Sequence, residues 1–457
     1  MRINFKLTQQ QDCQSFKGLA VLKTALLSLC VLFAFSFTTQ AAAKIEQWTT
    51  TKGARVFYVQ TQGLPLVDIQ ISFDAGSARD GAQKGIAALT SDLLKSSAGS
   101  WSTDEIARRF ESVGARFDSE TNAETGSLEV RSLTEPALLK KTLETLQVVL
   151  TKPQFNPADF QREKNQTLAT IKQREESPAE LADLAFDTAV FGNHPYASPT
   201  AGYLKTVSDL KAQDLKQFYQ RYYVAANAMI VIVGDLDKQQ AQQTAEQLLQ
   251  GLPVGEKPAA LPDVKMPEKA SVQKINFPSS QTHVLVGLPG MSRTDPDFFP
   301  LYVGNHILGG SGLVSKLFDE VREKRGLAYS AYSYFAPMVK QGAFTIGLQT
   351  KNEQTEQALK VLNDTVNDFI NNGITEAELS AAKKNITGGF VMRFDTNNKL
   401  ADYVTRIGFY NLPLDYLDTF PQKVEAVTAE QVKEAFKRRV VPALFQTVTL
   451  GGSAAKK

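Results

Sequence analysis

Cysteine is almost missing from this 457-residue chain, which holds only Cys13 and Cys30. Both fall in an N-terminal stretch that reads as a secretory signal peptide: Lys17 and Lys23 precede an apolar run from Ala25 to Phe37, followed by Thr38-Thr39-Gln40-Ala41-Ala42-Ala43. Cleavage after Ala41 or Ala43 leaves a chain without a thiol. That excludes disulfides, thiolate metal ligands and a cysteine nucleophile. The apolar run is shorter than the ~20 residues of a comfortable bilayer span, so no stable membrane span is expected and a retained anchor is the rival reading. Cys30 lies inside the apolar core, ahead of Val31-Leu32-Phe33, and away from the small residues that mark the cleavage context. A bacterial periplasm is the expected location.

Histidine is scarce as well. His194, His283 and His306 are the whole supply, and they are isolated in sequence with no paired spacing, so each reads as structural. Excess charge of one sign is also absent. The whole chain carries 50 basic and 48 acidic residues. Removing residues 1–43, with Arg2, Lys6, Lys17 and Lys23 against Asp12, leaves 46 basic against 47 acidic. This balance, without a Lys/Arg block, gives no electrostatic footprint for nucleic acid or an anionic membrane.

What is present is apolar content of 43%, enough for sizeable cores, in a chain longer than one core usually supports. Periodicity breaks between Gly251 and Ala270, where Pro253, Pro258 and Pro262 mark an extended linker. The same order of elements is expected on either side. In the first half, strands are predicted at Leu66–Phe73, Ser127–Ser132 and Ala228–Asp235, with helices at Gly85–Ser96, Thr103–Ser112, Leu138–Leu150 and Pro157–Glu175. In the second, strands are predicted at His283–Leu288, Gly342–Thr350 and Leu444–Leu450, with helices at Asp297–Leu308, Leu313–Lys324, Thr355–Asn371 and from Thr375. Phe155-Asn156-Pro157 parallels Ile374-Thr375-Glu376 as a capped helix start. The expected domains are residues 44–250 and 271–457, α+β in class and related by duplication, with the linker at 251–270 and the signal peptide at 1–43.

Gly309-Gly310 followed by Leu317-Phe318-Asp319-Glu320-Val321-Arg322-Glu323-Lys324-Arg325-Gly326-Leu327-Ala328-Tyr329-Ser330 resembles the C-terminal signature of the insulinase/pitrilysin zinc peptidases and mitochondrial processing peptidase. Ala75-Gly76-Ser77, Gly85-Ile86-Ala87, Glu111-Ser112-Val113-Gly114-Ala115, Asn193-His194-Pro195-Tyr196 and Ile232-Val233-Gly234-Asp235 follow the family order in the first half. The resemblance implies two homologous domains of the LuxS/mitochondrial-processing-peptidase-like metallohydrolase fold in tandem, enclosing a chamber.

In that family an inverted His-x-x-Glu-His helix carries the metal. Imidazoles at i and i+4 share one face and one tetrahedral ion, and the Glu activates water. The five positions here are Ala88-Leu89-Thr90-Ser91-Asp92. Both histidines and the base are gone. The third ligand of the family falls at Ala169 or Thr170, with Glu163 also within the permitted spacing. One carboxylate cannot hold catalytic zinc, so no metal is expected on this chain and zinc is expected in a partner subunit.

The family's Arg and Tyr that reach the substrate carbonyls match Arg322 and Tyr329. Their physical task is donation toward developing oxyanion charge, against the plainer roles of a helix-end cap and a packed strand residue. Leu308-Gly309-Gly310-Ser311-Gly312 lacks the Gly-Lys-Ser/Thr ending of a phosphate loop, and reads as a flexible wall or a site of close backbone packing.

The resemblance thus implies a non-catalytic, substrate-binding subunit of a heterodimeric zinc metallopeptidase. A homologous catalytic peptidase subunit would be the partner, and an extended, unfolded peptide the substrate. The alternative is a peptide-binding or scaffold pseudopeptidase with no proteolytic partner. A third reading is an autonomous peptidase using Asp92 and a cryptic metal site.

Overall fold

The computed structural model describes residues 44–452, so the expected signal peptide lies outside the described residues. Two mixed sheets organise one compact unit. The first contains β1 (Glu46–Thr49), β2 (Arg55–Gln60), β3 (Leu66–Phe73), β4 (Arg116–Thr121), β5 (Gly126–Leu133) and β6 (Ala228–Gly234), in the order β1-β2-β6-β3-β5-β4. The second contains β7 (Ser271–Asn276), β8 (Ser279–Pro289), β9 (Ala328–Phe335), β10 (Ala343–Lys351) and β11 (Gln446–Gly452), in the order β7-β11-β8-β10-β9. Only β2–β6 and β7–β11 are parallel pairs. The last five strands of the first sheet therefore repeat as the second sheet.

The register of the repeat can be pinned. Gly234 ends β6 at φ 157° and Gly451 lies near the end of β11 at φ 159°. A Cβ on either would meet a neighbouring Cα, that of Val67 at 2.5 Å or of Thr282 at 2.6 Å. With those glycines matched, one row runs Val56–Ile230–Ile71–Leu128–Ser119 across the first sheet. Its counterpart runs Val272–Thr447–Val286–Ile346–Ser333. Each row ends on a serine of the edge strand, β4 or β9.

Four helices matter for the site: α1 (Ile86–Leu94), α2 (Pro157–Glu175), α3 (Pro178–Phe191) and α4 (Asn397–Phe409). α2 matches the range read from the sequence, because Asn156 caps it by accepting from Asp159 N, and Pro157 pre-sets its first turn. α3 begins on the Ser177 cap with Pro178 and carries Ala182, Phe186 and Val190 as a buried stripe four residues apart. That stripe packs on β8 and β11 of the second sheet. Reciprocally, α4 packs on β3 and β6 of the first sheet. It comes close enough that a Cβ at Gly408 would sit 2.6 Å from both Phe57 and Met229. Each half thus lends a helix to cover the other's sheet.

A buried carboxylate adds to this exchange. Glu124, in the β4–β5 turn, accepts hydrogen bonds from Tyr196 OH (2.5 Å) and Tyr410 OH (2.8 Å), and from the Val339 backbone N–H (2.8 Å). These donors come from both halves. Residues 251–270 contain no helix or strand, yet the segment has an apolar side that sequence periodicity did not reveal: Leu261 and Val264 are buried in the cluster under α3.

Two elements depart from the sequence expectations. Leu313–Lys324, expected as one helix, is broken into a 3-10 turn at Gly312–Val314, one α-turn at Lys316–Phe318 and a π-turn at Asp319–Glu323. The helix expected to run to Leu308 is α-helical only over Phe298–Asn305 and widens to a π-turn over His306–Gly310. Widened turns of this kind are frequent at functional sites because they redirect side chains.

Candidate functional site

α1 is held at its start by Asp80, whose buried carboxylate accepts from the N–H groups of Gly85 (2.7 Å) and Ala87 (3.0 Å). Burial pushes that carboxyl up to about 7, against the lowering effect of the same two hydrogen bonds. Ile86, Leu89 and Leu93 turn into the first core. Ala88, Asp92 and Lys95 lie on the less buried side of the helix, at i, i+4 and i+7. This is the side on which a His pair at 88 and 92 would share an ion.

The residues there do not fit a metal. Ala88 has no donor, and Ser91 is turned inward and buried. Its Oγ, like Thr90 Oγ1 and Tyr223 OH, lacks a hydrogen-bond partner among the described residues. Asp92 is partly exposed, and its pKa is raised, first by burial and then by the charge of Glu163 on α2. Glu163 itself is paired with Arg162 at 3.1 Å, while Ala169 and Thr170 are exposed. Among the described residues, no three His, Cys, Asp or Glu side chains converge on a point where an ion could be held.

A lysine occupies this ground instead. Lys95 Nζ lies 3.2 Å from Asp118 Oδ1, 3.3 Å from the Ser119 carbonyl oxygen and 3.7 Å from Asp92 Oδ1. No sequence pattern flagged Lys95, Asp118 or Ser119, because β4 has no apolar alternation to announce it. A cavity of about 660 Å³ opens beside them, lined on its apolar side by Ile106, Phe110, Phe117 and Val130.

In the second half, Arg322 and Tyr329 are brought together. The π-turn carries Arg322, and a tight turn at Gly326 (φ 61°) returns the chain to β9, with Leu327 N bonded to Val321 O at 3.0 Å. Two residues of β9, Tyr329 and Ser330, then face the single residue Gln349 of β10, so the strand bulges there. A bulge re-aims the side chain it contains. Tyr329 projects and is 79% exposed. The Arg322 guanidinium stacks 4.8 Å from the centres of both the Phe318 and Tyr329 rings, and its nearest carboxylate, Glu323, is 3.8 Å away. Its arrangement is a charged fork held by two rings, with N–H donors left for other acceptors. Arg322 is therefore not bonded to carbonyls as a helix-end cap, and Tyr329 is not packed as a core strand residue.

The glycine loop serves close packing. A Cβ at Gly309 would meet Ser333 N at 2.3 Å, so the turn lies directly on β9. The three histidines sit on separate elements. His194 accepts from Tyr196 N (3.2 Å) and pairs with Pro262 O (3.0 Å), and His283 pairs with Gln349 (3.3 Å). Burial lowers the pKa of all three.

Comparison with known proteins places this geometry. Residues 55–203 match the family model of insulinase, peptidase family M16, and residues 209–386 match that of the peptidase M16 inactive domain. The crystal structure of a peptidase M16 inactive domain from Pseudomonas fluorescens is 35% identical, covers 90% of this chain and 99% of its own, and superposes with a TM-score of 0.86. A Helicobacter pylori protein described as a non-peptidase homolog is 26% identical over 87% of this chain and 92% of its own. A Bacillus subtilis protein described as an uncharacterized zinc protease is 26% identical over 85% and 94% respectively.

Proposed function

The chain belongs to the insulinase (M16) peptidase family as a non-peptidase homologue of two α+β domains, and from that premise we propose that it is the substrate-binding subunit of a two-chain zinc peptidase. A homologous catalytic subunit bearing His-x-x-Glu-His supplies the zinc and the base. This chain supplies Arg322, Tyr329 and half of an enclosing chamber. The substrate is an extended, unfolded peptide, and the assembly works in the periplasm.

The observation that carries the reading is the asymmetry between the two motifs. The metal-bearing positions have lost every donor set that could hold zinc, while Arg322 and Tyr329 stand together, accessible and without a carboxylate in hydrogen-bonding reach. A guanidinium stays charged at any working pH and donates several N–H groups in one plane. A phenol donates without carrying charge. Together they suit a peptide carbonyl whose oxygen gains charge during attack, and donors preset in that place act mainly on the transition state.

The test mixes the mature chain with an M16 homologue whose His-x-x-Glu-His is intact and follows cleavage of a fluorogenic unfolded peptide. Arg322→Ala or Tyr329→Phe should lower kcat on the order of 10²-fold while the complex still forms. Unchanged turnover would remove Arg322 and Tyr329 from their assigned role. A complete lack of activity with any such homologue would favour a peptide-binding scaffold.

A further inference from the structure

The two edge strands that end the duplicated sheets are closed by different devices, and the difference has a use. In an antiparallel pair, residues alternate between exchanging both backbone hydrogen bonds with the partner and turning those groups outward. The β4–β5 turn sets the phase, since Asn122 N bonds Thr125 O at 3.0 Å. Counting back along the register, Glu120 and Asp118 face the partner strand, while Thr121, Ser119 and Phe117 turn their N–H and C=O groups to the free edge. Ser119 is the middle one of the three.

Both outward groups of Ser119 are already taken. Its N–H donates to Asp118 Oδ1 at 2.8 Å, and its carbonyl accepts from Lys95 Nζ at 3.3 Å. Lys95 and Asp118 then close on each other at 3.2 Å. In the matching position of the second sheet, Ser333 is sealed by packed structure: Asn305 Nδ2 donates to its carbonyl at 3.1 Å, and Gly309 lies against its N–H. Nothing short of unfolding a turn would free Ser333. The closure on Ser119 consists of two side chains that are 39% and 62% exposed, and such pairs are weak and screened by salt.

We propose that Lys95 and Asp118 form a releasable latch that withholds the β4 edge from strand addition by an extended peptide. This rests on the reading of the chain as a peptide-handling subunit. Closed, the latch satisfies the backbone of Ser119 and keeps the edge from pairing indiscriminately, as charged residues on edge strands do elsewhere. Released, it exposes three outward-facing residues in register, beside a cavity whose Phe110 and Phe117 suit an apolar side chain of the incoming strand.

The experiment uses the full mature chain, its Lys95→Met variant and the Lys95→Met/Asp118→Ala double variant. The probe is a short fluorescein-labelled unstructured peptide of alternating apolar and polar residues, read by anisotropy, with hydrogen exchange of the Ser119 amide followed in parallel. The double variant should bind the probe about fivefold more tightly at low salt, the effect expected from losing one exposed pair. Wild-type affinity should rise with salt, and the double variant should lose that dependence. Its Ser119 amide should exchange faster without peptide and more slowly with it. Equal Ser119 exchange in wild type and double variant would overturn the latch. A freed amide with no gain in peptide affinity would overturn its role in peptide capture. Neither result bears on Arg322, whose assignment stands or falls on turnover in the two-chain assay.

Discussion

The first and second halves repeat five strands in the same order, and the two copies carry different side-chain chemistry. In the first, α1 presents Ala88 and Asp92 where a metal pair would stand, and Lys95 fills the ground between them and β4. In the second, a π-turn and a bulge aim Arg322 and Tyr329 outward together. One copy has closed its reactive side with an ion pair, and the other has kept donors free. The departure from the family's metal motif is therefore local to α1, while the turn and bulge that aim Arg322 and Tyr329 are formed in the second half.

That contrast can be tested at several strengths. The largest effect is expected on the exchange of helices that binds the copies together. Phe186→Ala, under the second sheet, should cost about 3–5 kcal/mol in urea unfolding, and Gly408→Ala, whose added Cβ would sit 2.6 Å from Phe57 and Met229 of the first sheet, about 1–3 kcal/mol. Both should shift one shared transition, since each helix belongs to one half and covers the other. Two separated transitions would mean that the halves fold independently.

Next is the pin at Glu124. Tyr410→Phe removes one hydrogen bond to a carboxylate and should cost about 1.5–3 kcal/mol in the same measurement. In the mixed complex, Arg322→Lys should lower kcat on the order of 10-fold, because an ammonium cannot reproduce the planar fork between two rings. Asp92→Ala should leave kcat within about twofold, since one carboxylate without partner ligands holds no catalytic metal.

The smallest effect is a pH dependence to which both halves contribute. Glu129 in the first sheet is pushed up to about 7 by burial and by Glu120, Asp402, Asp118 and Asp68; Asp187 on α3 reaches about 7 by burial and the nearby Asp183. In the unfolded chain both titrate near ~4. Between those values the folded state holds protons that the unfolded state has released. The contribution of each group is thus fully present below about 4 and is lost as pH rises through 7. In thermal unfolding between about pH 5 and 8 these carboxyls pull stability down as pH rises, against the three histidines whose lowered pKa values pull it up, so Glu129→Gln or Asp187→Asn should each make the slope of stability with pH more positive. An unchanged slope in Asp187→Asn would assign the carboxyl effect to Glu129 alone.

Much of this was legible in the residue string. Helix α2 was readable because Asn156 and Pro157 announce it, and β3 and β6 because their apolar runs do. The damaged motif was readable because the resemblance to the family fixes its five positions and Ala88 lacks a donor in any conformation. Less visible was β4, whose sequence Arg116-Phe117-Asp118-Ser119-Glu120-Thr121 is polar, since an edge strand with little core to face needs no apolar alternation. The break of Leu313–Lys324 into three kinds of turn was hidden too, because an amphipathic pattern is compatible with several helical pitches.

Local patterning sufficed for the duplication, because each element depends on residues close together, while the metal positions at Ala88 and Asp92 and the motif holding Arg322 and Tyr329 were legible only through the resemblance to the family's motifs. Which sheet a helix covers was settled only in three dimensions, because the contacts that send α3 and α4 each to the opposite half join residues far apart in the chain. The same is true of β4. Lys95 and Ser119 are both ordinary surface-type residues in sequence, and only the folded backbone turns the carbonyl of one toward the ammonium of the other.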